Sequence, residues 1–499
     1  MTRVNPSQSG TAFDKLRLFI RLMPVAVILV VCPEVSLSQS VTRLGDLVKA
    51  LKLNDTVSAL GFAREIDPVD TADTNGLSSL FYAAEAGYPE VCRILIRRGA
   101  AINIRSNDGA TALILASQNG HAGIVSLLLD RGADPDVQEH AFKTTALIQA
   151  SQNGHADVVR LLLSKGAQVN LVRANGSGAL MAASAAGHTD VVKALLGNGA
   201  DPDLLTINDA TPLIVASRYG YAEIVRLLAE NGSEINHQCL DGSTSLTWAV
   251  MNNHNEVVKV LLEKGADPDN RCADGSTPLI WGAERNSDKV IRLLLEAGAN
   301  PDLIRNDGMS ALMIAARNGY ESILETLAEK GATIDLQESI NKTTALINAC
   351  AGGHSGSVKI LLDKGASPDL ISGDEYIPLM VASENGFSDI AALLLDKGAR
   401  PDHVRSDSIS PLMKASQYGR AEVVRLLLER GARPDLQSSH GFTALMAASM
   451  NGHADIVKLL LKNGSNRMLR RDDGATASDL ASGNGHTAIV KLLESGVGK

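Results

Sequence analysis

The chain has 499 residues and a formal net charge of −9, and 45% of its residues are hydrophobic. A length of this order would ordinarily be divided among several globular domains. The charge is spread along the chain without a block of Lys or Arg, and this argues against nucleic acid as a partner.

Residues 1–38 predict a secretory signal sequence. Lys15, Arg17 and Arg21 precede an apolar stretch over 22–32, and small residues stand three and one positions before a possible cut after Ser38. The stretch is shorter than the roughly 20 residues that span a bilayer. We expect export to the periplasm or the medium, with no stable membrane insertion after cleavage. An uncleaved membrane anchor, or an apolar start without a function, is the alternative.

Residues 39–74 predict a degenerate repeat that caps the N-terminal end of an array. Two stretches, 44–51 and 56–66, keep the rhythm of a helix pair. They lack the Thr-x-Leu motif that later units carry. A polar outer face is what a one-dimensional stack needs at its ends.

Residues 75–499 repeat with a fixed period, and two of the steps are one residue longer than the others. The marker is a Gly that follows a leucine-rich run and precedes a small residue. Twelve glycines hold this position: Gly99, Gly132, Gly166, Gly199, Gly232, Gly265, Gly298, Gly331, Gly365, Gly398, Gly431 and Gly464. A fixed period of about 33 residues predicts a solenoid, here of thirteen small units that share one core.

One unit, 241–274, shows what each repeat contains. A turn at Asp241-Gly242 leads to a short helix whose N-cap is Thr244, because a Thr hydroxyl accepts a free N–H of the first turn. A second helix over 255–262 has apolar residues at helical spacing. Gly265 follows, where a left-handed C-terminal residue is expected.

This unit resembles the ankyrin repeat. Thr-x-Leu motifs start at Thr111, Thr145, Thr211, Thr244, Thr277, Thr344 and Thr443, and Asn-Gly-His follows at 119–121, 153–155, 451–453 and 484–486. The resemblance covers the whole array from 75 to the C-terminus. It implies an all-α solenoid of helix-turn-helix units joined by β-hairpin finger loops. The family's usual His after Thr-x-Leu is Ile or Met here, as at Ile114 and Met181, which gives a more apolar version of the same core. In the last unit Ser478 replaces the core Leu, as in a C-terminal cap.

Two rows of polar residues raise the question of a metal site. The histidines are His121, His155, His188, His254, His354, His453 and His486, and the aspartates are Asp136, Asp203, Asp269, Asp302, Asp369, Asp402 and Asp435. One imidazole per repeat cannot form a tetrahedral set, and calcium needs six to eight oxygens at one point. We therefore expect no metal: the histidines close the turn between helices, and the aspartates bond their own backbone in turns.

Four cysteines remain beyond the predicted signal: Cys92, Cys239, Cys272 and Cys350. Cys239 and Cys272 hold the same finger position in adjacent repeats. Strands laddered about 4.8 Å apart would separate them by about 9.6 Å, which is beyond the roughly 7 Å limit for a disulfide. Four free thiols are expected.

Two fingers are one residue longer than the others and lack the turn glycine. They cover 138–145 and 337–344 and share the sequence Lys-Thr-Thr-Ala-Leu-Ile at their ends. A duplicated block and a shared finger shape both account for this recurrence.

The resemblance implies that a protein partner binds along the concave face, which finger and first-helix residues line. The residue after the finger turn is small through Ser276 and then becomes Met309, Thr343, Tyr376, Ile409 and Phe442. Exposed aromatic side chains of this kind are enriched in interfaces. Packing against neighbouring fingers is the alternative for this stripe.

Trp248 and Trp281 hold identical positions in adjacent repeats, where they either fill the seam between helix and finger or contact the partner.

No motif for catalysis, a cofactor or phosphate binding is present. The sequence therefore predicts a monomeric, non-catalytic scaffold that binds proteins in the exported compartment. A dedicated stabilising or inhibitory subunit of one enzyme in that compartment is the alternative.

Overall fold

The structure is a computed structural model that describes residues 35–495, with side chains from Ser40 onward. The described residues form 28 helices in fourteen pairs. The first helices of the pairs are α1 Val35–Lys52, α3 Ser79–Ala86, α5 Ala112–Gln118, α7 Ala146–Gln152, α9 Ala179–Ala186, α11 Pro212–Tyr219, α13 Ser245–Met251, α15 Pro278–Glu284, α17 Ala311–Asn318, α19 Ala345–Gly352, α21 Pro378–Asn385, α23 Pro411–Gln417, α25 Ala444–Met450 and α27 Ala477–Gly483.

From the second pair onward the second helices carry the apolar run of each repeat and are as long as the first helices or slightly longer. They are α2 Thr56–Glu65, α4 Pro89–Arg97, α6 Ala122–Asp130, α8 Ala156–Ser164, α10 Thr189–Leu196, α12 Ala222–Glu230, α14 Asn255–Glu263, α16 Asp288–Glu296, α18 Glu321–Glu329, α20 Ser355–Asp363, α22 Ser388–Asp396, α24 Ala421–Glu429, α26 Ala454–Lys462 and α28 Thr487–Glu494. The all-α repeat fold expected from the sequence is confirmed.

The chain divides into two compact units, one ending at Ala101 and the other beginning at Ile102. In the first unit α1 and α2 pack together as the expected helix pair. The predicted cleavage point after Ser38 falls inside α1, and residues 1–34 of the predicted signal lie outside the described residues. Signal cleavage stays a prediction.

Local sequence sets where each helix starts and stops. The seven threonines of the Thr-x-Leu motifs are all N-caps, and the Thr244 hydroxyl, for example, accepts the Thr247 N–H at 3.3 Å. At the far end of α14, Gly265 has a φ of +87°, a conformation that side chains with a Cβ disfavour. The sequence predictions for both positions are confirmed.

The core of the second unit is continuous from repeat to repeat. Each first helix packs against the first helix of the next repeat, and second helices do the same. In α13 and α14, Leu246, Ala249, Val258 and Leu261 are at most 1% exposed. Because apolar residues recur at these positions in the neighbouring repeats, a similar apolar layer forms at each interface.

The fingers are tight loops rather than extended hairpins. Isolated antiparallel bridges join Val172 to Gly178 and Ile304 to Ser310 in the second unit. No longer strand is present in the described residues. The fingers are therefore shorter than the β-hairpins that the resemblance implied.

Candidate protein-binding face

The fingers and one side of the first helices carry side chains that the helical core leaves free. We call this surface, within residues 102–495, the binding face. Neighbouring fingers are joined along it through their backbones: the Ala273 N–H, for example, donates to the Asp241 carbonyl at 2.8 Å.

Trp248 and Trp281 lie on this face, on α13 and α15 in adjacent repeats. Both indoles are partly exposed, although the residues around them on the helix are buried. The Arg218 guanidinium, from the preceding repeat, lies over the Trp248 ring at 4.7 Å from its centroid. Cation–π contacts of this kind are worth about 0.5–1 kcal/mol at exposed sites. Trp248 therefore packs on its neighbouring repeat and also leaves part of its surface open.

Tyr376 is the centre of a cluster of side chains from neighbouring repeats. The Arg405 guanidinium and the Lys414 ammonium lie 5.1 and 5.2 Å from its ring centroid. Its hydroxyl donates to Glu384 Oε2 at 3.1 Å, and the Lys414 ammonium lies 3.3 Å from the same carboxylate oxygen. Tyr418 completes the cluster, with its ring centroid 5.8 Å from the ammonium of Lys414.

Charge and burial compete in this cluster. Burial alone would lower the pKa of Lys414, but contact with Tyr376 and Glu384 outweighs it and raises that pKa. The Glu384 carboxylate likewise raises the pKa of the Tyr418 hydroxyl. Lys414 therefore stays protonated, and the cluster keeps its cations on the binding face.

The rest of the predicted stripe is less exposed than its sequence pattern indicated. Met309 is only 8% exposed, and Ile409 and Phe442 are half-buried. The Arg471 guanidinium lies 5.9 Å from the Phe442 ring centroid. The stripe thus occupies the expected finger position, but a cation from the next finger lies over each of its aromatic rings. Its contact with a partner stays a prediction.

The arginines that lie over the rings of Tyr376 and Phe442 were not predicted from the sequence. Arg173, Arg305, Arg405 and Arg471 share one finger position, which aligned repeats would have revealed. Arg173 and Arg305 each reach back to the first helix of the preceding repeat: Arg173 donates to Gln152, and Arg305 pairs with Glu284. Gln152 and Glu284 hold the same position in their repeats, but one is an amide and the other a carboxylate. The pairing therefore cannot be recognised from the sequence of a single repeat.

The histidine row closes the seam between repeats rather than a turn within one. In six of these histidines Nε2 lies 2.9–3.1 Å from a carbonyl oxygen at the end of the preceding first helix: His155, His188, His254, His354, His453 and His486. The His254 ring sits so near Gly220 that a Cβ there would lie 2.7 Å from Nδ1. The inter-helix Gly and the next histidine therefore form one packing unit.

The expectation for the aspartate row was wrong. Asp203 and its six equivalents do not bond their own turn; each carboxylate accepts the backbone N–H of a residue 31 or 32 positions later, at 2.8–3.2 Å. The bond within the turn is made by the residue two positions earlier, as when Asp201 accepts the Asp203 N–H at 3.0 Å. Of two side chains that are two residues apart, the first thus makes the bond within the turn and the second makes the bond between repeats.

The two long fingers share one shape. In each finger a glutamate folds back and accepts backbone N–H groups of the loop: Glu139 does so from Ala141, Phe142 and Thr144, and Glu338 from Ile340, Asn341 and Thr343. Residues Lys143 and Lys342 take the positive φ that glycine has elsewhere. The recurrence of sequence at these fingers therefore has a structural basis.

The four described cysteines are unbridged. Cys92 and Cys350 are fully buried, and burial raises the pKa of Cys92 to about 12. Burial also raises the pKa of Cys239 and Cys272. All four therefore stay protonated near neutral pH.

Within residues 35–495 no group of three or more His, Cys, Asp or Glu side chains is arranged to hold a metal ion. The same residues contain no helix that is both long and apolar enough to cross a membrane.

Comparison with known proteins identifies the family to which this repeat architecture belongs. A family model described as ankyrin repeats in three copies matches residues 41–139, 133–206, 180–272, 265–338, 332–407 and 412–498. Among solved structures the chain is similar to the human ASB11 ankyrin repeat domain, with 28% identity and a TM-score of 0.41, over 45% of this chain and 99% of that one. The comparison with curated proteins gives no match. The family model spans nearly all of the described helices, and the chain belongs to the ankyrin repeat family.

Proposed function

We propose that this protein is a non-catalytic scaffold that holds a protein partner along the binding face. Ankyrin repeats generally mediate protein–protein interaction. The observation that carries the proposal is the grouping of aromatic rings and cations on that face, around Trp248 and around Tyr376. Aromatic and arginine side chains are the types most enriched among the residues that dominate binding energy.

The pattern of variation along the array supports the same proposal. Core positions carry similar apolar residues from repeat to repeat, because each interface has the same geometry. At the first-helix position of Trp248 the partly exposed equivalents include Val215, Trp281, Val381 and Lys414. A position that ranges from aromatic to aliphatic to cationic while its neighbours recur is suited to recognition rather than to folding.

Export is part of the proposal and depends on residues 1–38 alone. If they are a cleaved signal, the mature protein begins near Gln39 in the periplasm or medium. N-terminal sequencing of the purified protein tests this, and an intact Met1 on most molecules would contradict it.

Binding is tested by co-purification with cross-linking mass spectrometry from the exported fraction. We expect the Tyr376→Ser, Phe442→Ser double variant to bind the partner several-fold more weakly or worse, because each buried aromatic anchor commonly contributes about 2 kcal/mol of binding free energy. Trp248→Ala with Trp281→Ala is the second test of the same face. Several partners would indicate a scaffold, whereas a single enzyme would indicate a dedicated subunit.

Thermal unfolding of the same variants separates binding from packing. If the double variant binds normally but melts many degrees lower, the stripe only packs between fingers. The binding residues would then be sought at Trp248 and Trp281.

A further inference from the structure

Two neighbouring finger tips expose large apolar side chains. Ile207 is 71% exposed and Leu240 is 80% exposed, and Leu205 on the first of these fingers is 41% exposed. Ile207 and Leu240 hold the same position, one repeat apart, just before the finger turn. Their exposure contrasts with the leucines of the core, which are almost completely buried.

The two fingers lie side by side. The Glu234 N–H donates to Asp203 Oδ1 at 2.9 Å, and His237 Nε2 lies 3.0 Å from the Asp209 carbonyl oxygen. These bonds join the base and the turn of one finger to the next. The apolar side chains therefore belong to one surface, which we call the tip patch: Leu205, Ile207 and Leu240.

The two fingers that carry the tip patch are acidic, whereas the fingers on either side each have one arginine, Arg173 and Arg271, which bond Gln152 and the Ile304 carbonyl oxygen. Segments 201–211 and 232–244 contain five carboxylates and neither Lys nor Arg: Asp201, Asp203, Asp209, Glu234 and Asp241. The nearest basic group is His237 on the same finger, whose Nδ1 lies 3.7 Å from Glu234 Oε2. Asp209 lies on one of these fingers and Asp241 on the other, and both carboxylates add to the effect of burial in raising the pKa of the Cys239 thiol. Both fingers therefore contribute negative charge to this surface.

We propose that the tip patch binds a cationic amphipathic segment of a protein partner. Such a segment would bury its apolar side on Ile207 and Leu240 and direct Lys or Arg toward Asp209 and Asp241. The charge of the patch favours this occupant over two others. An identical copy of the patch would bring like charges together, and an anionic bilayer would be repelled. The proposal concerns the outer tips and does not depend on the cluster around Tyr376.

The probe is a short fluorescent peptide that repeats Leu-Lys-Lys-Leu-Leu-Lys-Leu, measured by anisotropy with the full chain. We expect binding that weakens as salt rises, since the carboxylates contribute to it. Replacing each Lys of the peptide by Glu removes binding. The Ile207→Ser, Leu240→Ser double variant binds at least about tenfold more weakly, as expected for loss of two apolar anchors.

Two further variants make the assignment specific. Ile340→Ser changes an equally placed tip residue that is 61% exposed and has Lys342 close by in its finger. It should bind the peptide as the unchanged protein does. Asp209→Asn with Asp241→Asn should weaken binding several-fold and flatten its salt dependence, because Asn at 241 can still accept the Ser243 N–H while both negative charges are lost.

Four outcomes overturn the proposal. The first is that the peptide does not bind, and the second is that Ile340→Ser weakens binding as much as the Ile207→Ser, Leu240→Ser variant does. The third is that the Glu peptide binds as well as the Lys peptide, and the fourth is that the Ile207→Ser, Leu240→Ser variant binds as tightly as the unchanged protein. If the Ile207→Ser, Leu240→Ser variant instead abolishes binding to phosphatidylcholine vesicles, the tip patch binds a bilayer. If it abolishes self-association in sedimentation, the tip patch binds a second copy of the chain. All the changed apolar side chains are exposed, so circular dichroism should show the same fold throughout.

Discussion

The finger turn places a specific demand on one residue in each repeat. Most repeats have Gly there, but Lys143, Asp209, Lys342, Glu375 and Ser408 adopt φ values between +49° and +63° instead. A Cβ is disfavoured in this region. These five positions therefore hold local strain that the packed repeats tolerate.

Ser408→Gly tests that strain. We expect the variant to be more stable by up to about 1 kcal/mol, since relief of the backbone strain exceeds the added entropy of the unfolded chain. Urea unfolding measures the change. Gly441→Ser is the matched control in the next repeat: its φ is +71°, and a Cβ there would lie 2.9 Å from the Arg470 carbonyl oxygen. It should destabilise, and equal effects of both changes would contradict the reasoning.

Glu338 gives the long finger a pH dependence. Burial alone would raise the pKa of its carboxyl, but N–H groups of Ile340, Asn341 and Thr343 outweigh burial and lower it. A lowered folded-state pKa contributes stability above the ordinary Glu value of 4.5, and that contribution is lost as pH falls through the folded value.

Glu338→Gln removes this ionisation. The variant should be less stable than the unchanged protein at pH 7, with a difference that shrinks below pH 4.5. Urea unfolding at pH 7 and pH 3.5 compares the two proteins. A constant difference across this range would show that the carboxylate charge does not matter. Removing the side chain with Glu338→Ala should cost about 1.5–3 kcal/mol at pH 7, as for hydrogen bonds to a charged group.

At the scale of the element, each first helix begins at a capping position. The Thr211 hydroxyl accepts the Ile214 N–H at 3.2 Å, and Thr211 is 1% exposed. Thr211→Ala should reduce stability by about 1 kcal/mol because it leaves that N–H unpaired. Thr211→Ser keeps the hydroxyl and should recover most of the loss in urea unfolding. Equal loss in both variants would assign the effect to the buried methyl group.

The helices could be predicted from the sequence because the residues that start and end each helix are close to it in the chain. A Thr before an apolar run fixes the start of a helix, and a Gly after a leucine run fixes its end, as at Thr244 and Gly265. The binding face was only partly predictable, since its residues depend on partners from other repeats. The positions of Trp248 and Tyr376 were found, but Arg218 and Arg405 over their rings were not. The aspartate row was misassigned for the same reason: its acceptors and donors are 31 or 32 residues apart.

At the scale of the whole molecule, we expect the stability of the second unit to resemble a sum over its repeats and their interfaces. Its helices pack within their own repeat and against adjacent repeats. Such arrays follow nearest-neighbour energetics, in which no long-range core has to be completed. The loss of one repeat should therefore be tolerated.

Deletion of residues 241–273 removes α13 and α14 and joins Leu240 to Asp274. We expect a folded protein with the same helical content per residue, and a smaller dependence of unfolding free energy on urea, because less surface is exposed. Circular dichroism and size-exclusion chromatography monitor the fold. Global unfolding of the deletion variant would indicate a single core that extends over many repeats.

The bonds from the aspartate row also determine how the second unit would respond to a pulling force. The same carboxylate-to-backbone bond joins successive repeats, so each junction that carries it has one equivalent bond that resists a pulling force. Tension applied to the chain ends would release repeats one at a time, each freeing about 115 Å of extended chain. A partner that remains bound across several repeats would then raise the force needed to unfold them, since it must detach before those repeats can extend.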